Sequence, residues 1–175
     1  MRVTKLFRCP FAGTRRVRLL VVAAAAVVTA VGTHATAASA STPTQGTFSF
    51  HNVFVDADVC APEGFAINAV EDESGHYQVF FDRNGDVAST VVHFDYQATI
   101  SANGHTIVER DKWILAFYSD GTARVIGNSV HIQGPGAGLV QHDAGQVIFN
   151  ADGSITIHGP HPQFEGQTFC FALLP

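Results

Sequence analysis

Two acidic residues, Glu109 and Asp111, alternate with the basic residues Arg110 and Lys112 just before Trp113, the chain's one tryptophan. The preceding Asn103-Gly104 pair is typical of a two-residue hairpin turn. That turn places Tyr96 opposite Asp111 and puts both acids on the apolar face. Carboxylates on such a face are costly unless they are paired or hydrated, and neighbouring ones suit proton sharing or cation binding. The sequence therefore predicts a candidate lumen site formed by Tyr96, Glu109, Asp111, Trp113 and Asn128, with Asn128 expected across from Trp113.

One alternative removes this site. A β-bulge between Glu109 and Lys112 would turn both acids out to solvent. The residue pattern leaves the two interpretations open, because both preserve the apolar alternation on either side.

The sequence motifs for phosphate binding and for a serine nucleophile are missing. The glycines Gly134, Gly136 and Gly138 have no following Lys-Ser/Thr pair and no helix to seat a phosphate. No Gly-x-Ser-x-Gly nucleophile motif is present. These glycines are therefore interpreted as a loop between two strands, and no catalytic residue is assigned.

The histidines near the C-terminus suggest a metal site but offer an incomplete ligand set. His142 and Asp143 are neighbours and point to opposite faces of a strand, which places Asp143 on the apolar face. His158 and His161 flank a Gly-Pro pair that breaks the strand, and they are interpreted as a solvated strand end. Because spacing supplies no full zinc set, we predict no metal and no cofactor.

The elements that must position these residues are strands. Short apolar alternations separated by Asn-Gly and Asp-Gly pairs predict an all-β antiparallel meander of eight to nine strands. Two-residue turns are predicted at Asn84-Gly85, which sets Tyr77 opposite Val92, and at Asp120-Gly121. A three-residue turn at 151–153 sets Val147 opposite Ile157. Closure into a small barrel would remove the exposed edges. The predicted strands are 47–55, 65–71, 76–82, 87–101, 105–119, 122–133, 139–150, 154–159 and 168–173.

The first forty residues have the composition of a signal peptide. Their basic start carries no acidic residue, and the apolar run 19–31 is too short to span a bilayer. Small residues before Ser41 predict cleavage after Ala40. We therefore expect a secreted protein with signal peptide 1–40 and a single β-barrel domain 41–175.

The net charge of that domain restricts the classes of partner it can bind, and its cysteine content predicts a disulfide. Six of the ten basic residues and none of the fifteen acidic ones lie in the first forty, which leaves a net charge of −11. Such a charge argues against nucleic acid and, after cleavage, against anionic membranes. Cys60 and Cys170 remain as an even pair, which predicts a disulfide in an exported chain.

The domain also resembles a family of exported bacterial single-domain β proteins of unknown function. The shared motifs are "FFDRNGD" at 80–86, the loop 134–138, "DAGQVIFNADG" at 143–153, "GPHP" at 159–162, and Cys170. The resemblance implies a secreted β domain and adds no mechanism. By analogy of architecture, the barrel looks calycin-like or allene-oxide-cyclase-like.

The leading functional prediction is a binding module for a small, largely apolar molecule, because barrels of about eight strands often hold one. An enzyme, an isomerase or hydrolase with Tyr96, Glu109 and Asp111 as acid–base groups, is one alternative. An extracellular interaction protein with a filled core is another. Sequence does not choose the oligomeric state.

Overall fold

The computed structural model describes residues 42–136, 138–165 and 168–175. The predicted signal peptide 1–40 and its cleavage point lie outside the described residues. Within them the chain forms one antiparallel sheet whose seven strands are ordered as in the sequence. The strands are β1 (Thr44–Asp56), β2 (Ile67–Phe81), β3 (Val87–Ala102), β4 (His105–Tyr118), β5 (Ala123–Gly134), β6 (Gly138–Phe149) and β7 (Ile155–His158). Short 3-10 helices span Ala61–Glu63, Pro162–Glu165 and Phe169–Leu173.

The antiparallel meander is confirmed, with fewer strands than predicted. Predicted strands 65–71 and 76–82 form one continuous β2, which passes close to β3 at Gly75. A Cβ at Gly75 would lie 2.0 Å from the carbonyl oxygen of His93, so a side chain does not fit there. The last predicted strand, 168–173, is largely a 3-10 helix. Among the described residues β1 and β7 are not paired with each other, so closure into a barrel is not confirmed.

The β3–β4 hairpin has the predicted register. Asn103 and Gly104 both have positive φ, 52° and 80°, as the two central residues of a type I′ turn require. Phe94 therefore pairs with Trp113 on one face, and Asp95 pairs with Lys112 on the other. We call the face that carries Phe94 and Trp113 the inner face and the opposite one the outer face.

The next turn differs from its prediction by one residue. Residues 119–121 form a three-residue loop in which Gly121 has a φ of 86° and the Tyr118 N–H donates to the carbonyl of Thr122. The predicted two-residue turn at Asp120-Gly121 is therefore wrong, and β5 is displaced by one position along β4. Trp113 lies opposite Gly127, where Asn128 was predicted.

A bulge in β5 then restores the apolar alternation. Between the pairs Glu109–Ile132 and Lys112–Asn128, two residues of β4 face three of β5. The extra residue brings Val130 and Ile132 back to the inner face, where both are buried.

A disulfide fastens the C-terminal segment to one end of the inner face. Cys60 and Cys170 are bonded with Cα atoms 5.7 Å apart, as predicted. The 3-10 helix Phe169–Leu173 buries Phe169, Cys170 and Leu173, whereas its Phe171 is exposed. The Asn103 side chain donates to the Leu173 carbonyl at 2.9 Å. The core at this end contains Cys60, Ile67, Ala98, Ile100, Ala102, Ile107, Val130, Ile132, Phe169, Cys170 and Leu173.

Candidate functional site

Beyond this core the inner face changes from apolar to polar. Tyr96 pairs with Glu73 on one side and with Asp111 on the other. The next position toward the core pairs Ala98 with Glu71 and with Glu109. We call these two rows, together with Gln141, Asp143 and His161, the polar belt. Phe94 and Trp113 occupy the next row on its other side.

Four of the five predicted site residues meet on the inner face, and one does not. Tyr96, Glu109, Asp111 and Trp113 lie there as predicted. Asn128 pairs with Lys112, a residue of the outer face, so its predicted position across from Trp113 is wrong. The cause is the three-residue loop before β5, which moves this strand by one position.

The alternative in which a bulge exposes both acids is also wrong. Glu109 and Asp111 are only 1% and 4% exposed. The bulge exists, but its extra residue lies in β5, so the alternation of β4 is undisturbed. Asp111 Oδ1 accepts the backbone N–H of His131 at 2.6 Å, within the bulged segment. The buried carboxylate thus satisfies a backbone donor next to the irregular pairing.

Burial affects the acids contributed by β2. The Tyr96 hydroxyl donates to Glu71 Oε1 at 2.5 Å. Burial, and to a lesser extent repulsion from Glu71, raises the pKa of Glu73 above its ordinary value. Oε1 of Glu73 is buried and has no hydrogen-bond partner.

The other side of the belt is formed by β6 and the segment after β7. Asp143 is fully buried, as the predicted strand alternation implies. It accepts hydrogen bonds from the Gln141 side chain and the Gln163 N–H, yet burial raises its pKa above the ordinary value. Nδ1 of His161 lies 4.0 Å from Asp143 Oδ2.

The predicted solvated strand end is therefore only half correct. His158 is exposed, whereas His161 is 3% exposed. The chain turns back after β7, and the Ala144 N–H donates to the Pro160 carbonyl at 2.9 Å. This turn carries His161 onto the inner side of β6, which strand alternation alone does not reveal.

The belt contains buried polar atoms that have no hydrogen-bond partner. Among the described residues, the buried side-chain nitrogen and oxygen atoms that lack a hydrogen-bond partner are Glu73 Oε1, Asn128 Oδ1, Gln141 Oε1 and both ring nitrogens of His161. Apart from Asn128, which lies at the edge of the bulge, all belong to the belt. Unsatisfied buried polar atoms cost about 1–3 kcal/mol each, so such a concentration is unusual for a purely structural core.

Within the described residues, no lysine or arginine belongs to the belt. The basic residues after position 40 are Arg83, Arg110, Lys112 and Arg124, and all four are exposed. Lys112 binds Asp95 on the outer face at 2.6 Å. The belt therefore combines several carboxyl groups with one histidine, His161, which lies beside Asp143. This composition favours proton sharing or a cationic guest.

A small pocket of about 90 Å³ lies along the β3–β4 pair. Four of its lining residues belong to the outer face, and the other two, Tyr96 and Asp111, belong to the belt. Its volume is well below the roughly 300 Å³ at which typical small-molecule pockets begin. It is lined by Asp95, Tyr96, Gln97, Arg110, Asp111 and Lys112.

Several belt residues were not identified from sequence. Glu71 and Glu73 were missed because β2 was interpreted as two separate strands, so its register across residues 71–76 was not extended. Extending the β2–β3 register from the predicted pair Tyr77 and Val92 would have placed Glu71 and Glu73 on the inner face.

Comparisons with known proteins add no assignment. No family model, no curated protein and no solved structure matches the chain. Within the described residues no helix is long and apolar enough to cross a membrane.

Proposed function

We propose that the protein binds a small molecule on the inner face, with an apolar part beside Phe94 and Trp113 and a donor-bearing end in the polar belt. The main observation that supports this proposal is the set of buried polar atoms in the belt that have no hydrogen-bond partner. A ligand that donates hydrogen bonds to them offsets a cost that the fold otherwise bears.

The chemistry of the belt selects the donor-bearing end. Two of the four unpartnered belt atoms are oxygen acceptors, Glu73 Oε1 and Gln141 Oε1. Negative charge or shared protons come from the belt acids Glu71, Glu73, Glu109, Asp111 and Asp143. A protonated amine offers up to three donors and a positive charge. We therefore assign the ligand to small amines with an apolar body, and a carboxylate ligand is disfavoured by repulsion.

The adjoining aromatic pair suits the rest of such a ligand. Phe94 and Trp113 are stacked with ring centroids 3.9 Å apart, directly next to the row of Tyr96 and Asp111. Aromatic faces attract both apolar groups and cations. An amine seated between the two rows meets an apolar surface on one side and acceptors on the other.

The setting we propose is extracellular. The Cys60–Cys170 disulfide is of the kind that persists in oxidising compartments, which supports export through the predicted signal peptide. Closure of the sheet edges into a barrel around the ligand is part of the same proposal.

The acid–base enzyme alternative gains no support from its proposed residues. The Tyr96 hydroxyl is bonded to Glu71, and Asp111 accepts the His131 N–H. Both groups therefore have structural partners, and we favour binding over turnover.

Native mass spectrometry of the protein purified from its producing cells tests this proposal. A co-purifying mass that is released by acid, and that extracts as an amine, is the expected result. Acid protonates the belt carboxyl groups and removes their attraction for a cation. A released species that carries a carboxylate and no amine would contradict the proposal.

A further inference from the structure

The outer face carries histidines that are distant in sequence and adjacent in the sheet. His76 of β2 pairs with His93 of β3, and their rings are stacked with centroids 4.3 Å apart and planes inclined by 9°. Spacing along the chain shows no such pair, because the register of two strands creates it. His76 is exposed and His93 is half-buried at the surface.

We propose that His76 and His93 form a two-histidine site for a divalent transition-metal ion on the outer face. Imidazole is the commonest side-chain ligand for such ions and suits copper, nickel and zinc. Directly opposed residues of antiparallel strands hold their Cβ atoms about 4.5–5.5 Å apart. At that separation, rotating the two rings about their side-chain bonds brings one nitrogen of each to the same ion.

The neighbouring residues offer few further ligand atoms. Ile114 lies beside His93 on β4 and offers none, and Thr47 lies beside His76 on β1 and offers only a hydroxyl. Asp95, two residues after His93 on the same face, is engaged by Lys112 at 2.6 Å. An ion that accepts two adjacent nitrogens and several water ligands fits this arrangement, and among divalent ions Cu²⁺ binds nitrogen ligands most tightly.

A second histidine pair on the same face provides a comparison. His131 and His142 are also register partners, but their rings meet edge to face at 5.4 Å and 85°. Nε2 of His131 lies 3.0 Å from the Gln133 side-chain nitrogen, so one imidazole already has a partner. The stacked and otherwise unengaged pair at His76 and His93 is therefore the better chelate.

Binding of Cu²⁺ to the purified protein tests the site. Electron paramagnetic resonance of the protein with one equivalent of Cu²⁺ should show a spectrum with two imidazole nitrogens bound in the copper plane. His76→Ala and His93→Ala should each lose that two-nitrogen signal and weaken binding measured by calorimetry. Circular dichroism of both variants should match wild type, because the two side chains lie at the surface.

Two matched variants control for other histidines. His51→Ala removes an exposed histidine that binds Asp72, and His142→Ala breaks the second pair. Both should keep the two-nitrogen signal. If the two-nitrogen signal survives in His93→Ala, the assignment is overturned, whether or not His142→Ala loses the signal. The site lies on the face opposite the belt, so its failure would leave the proposed amine binding untouched.

Discussion

The indole of Trp113 stacks on the ring of Phe94, with ring centroids 3.9 Å apart. Tyr96, the next inner-face residue after Phe94 on β3, pairs with Asp111, the inner-face residue just before Trp113 on β4. An aromatic pair and an acid–phenol pair thus occupy neighbouring rows of one hairpin. This adjacency gives the inner face both an apolar contact surface and a set of acceptors.

Truncating the stack should cost far more stability than removing the neighbouring surface charge. Trp113 is 7% exposed, so Trp113→Ala should lower the free energy of unfolding by about 3–5 kcal/mol, as large core truncations do. Lys112→Ala on the outer face should cost under about 1 kcal/mol, since exposed ion pairs contribute little. Urea unfolding of both variants gives the comparison. Similar costs would contradict the face assignment.

Most of the fold follows from turn chemistry that the sequence displays. The Asn103-Gly104 turn and the three-residue turn 151–153 predicted pairings that are present, such as Val147 with Ile157. The Asn84-Gly85 turn was assigned the wrong length. Its register nevertheless held at Tyr77 and Val92, because a bulge between Phe80 and Phe81 compensates for the extra loop residue.

The errors in the site have two physical sources. Asp-Gly pairs serve both two-residue and three-residue loops, so the position of Asn128 could not be fixed by composition. The burial of His161 depends on where the chain goes after a Gly-Pro break, which is decided by packing against β6. Alternation along a strand predicted Asp143 correctly because it needs no knowledge of neighbouring segments.

Asp111 should act as a partner of the β5 bulge. Asp111→Ala should destabilise the fold by about 1–3 kcal/mol, because it leaves the partly buried N–H of His131 without this acceptor. Asp111→Asn keeps an oxygen acceptor at the same place and should retain most of the stability. Thermal unfolding of the two variants distinguishes them, and equal losses would show that charge, rather than the hydrogen bond, matters at this position.

Protonation of Glu73 should increase the stability of the folded protein as the pH falls. Its folded pKa is raised, so the charged form is a penalty that is complete above the folded pKa. The penalty fades as the pH falls through the folded pKa toward the ordinary value of 4.5. Glu73→Gln should therefore raise the melting temperature at pH 7, and the gain should shrink at pH 4.

A matched surface variant separates this effect from a general change in charge. Asp86→Asn alters an exposed turn carboxylate and should leave the melting temperature nearly unchanged at both pH values. If Glu73→Gln behaves like Asp86→Asn, the Glu73 carboxyl group is hydrated and contributes no buried charge.

The disulfide should contribute a large share of stability. In the chain-entropy model, closing a loop of 110 residues is worth about 4–5 kcal/mol. Reduction with dithiothreitol should lower the urea midpoint of wild type. The Cys60→Ser/Cys170→Ser variant should unfold near the reduced midpoint with or without the reductant. A midpoint that dithiothreitol does not change in wild type would mean that the bond adds nothing to stability.

Fluorescence of Trp113 tests the central claim most directly, because the protein contains one tryptophan and it lies beside the belt. Hexylamine, hexanol and hexanoate share an apolar chain and differ at one end. We predict a saturable change in emission with hexylamine, a weaker response with hexanol and none with hexanoate, and a reduced hexylamine affinity in Glu73→Gln. Equal responses to hexylamine and hexanoate, or no saturable response to hexylamine, would contradict an amine site on the inner face.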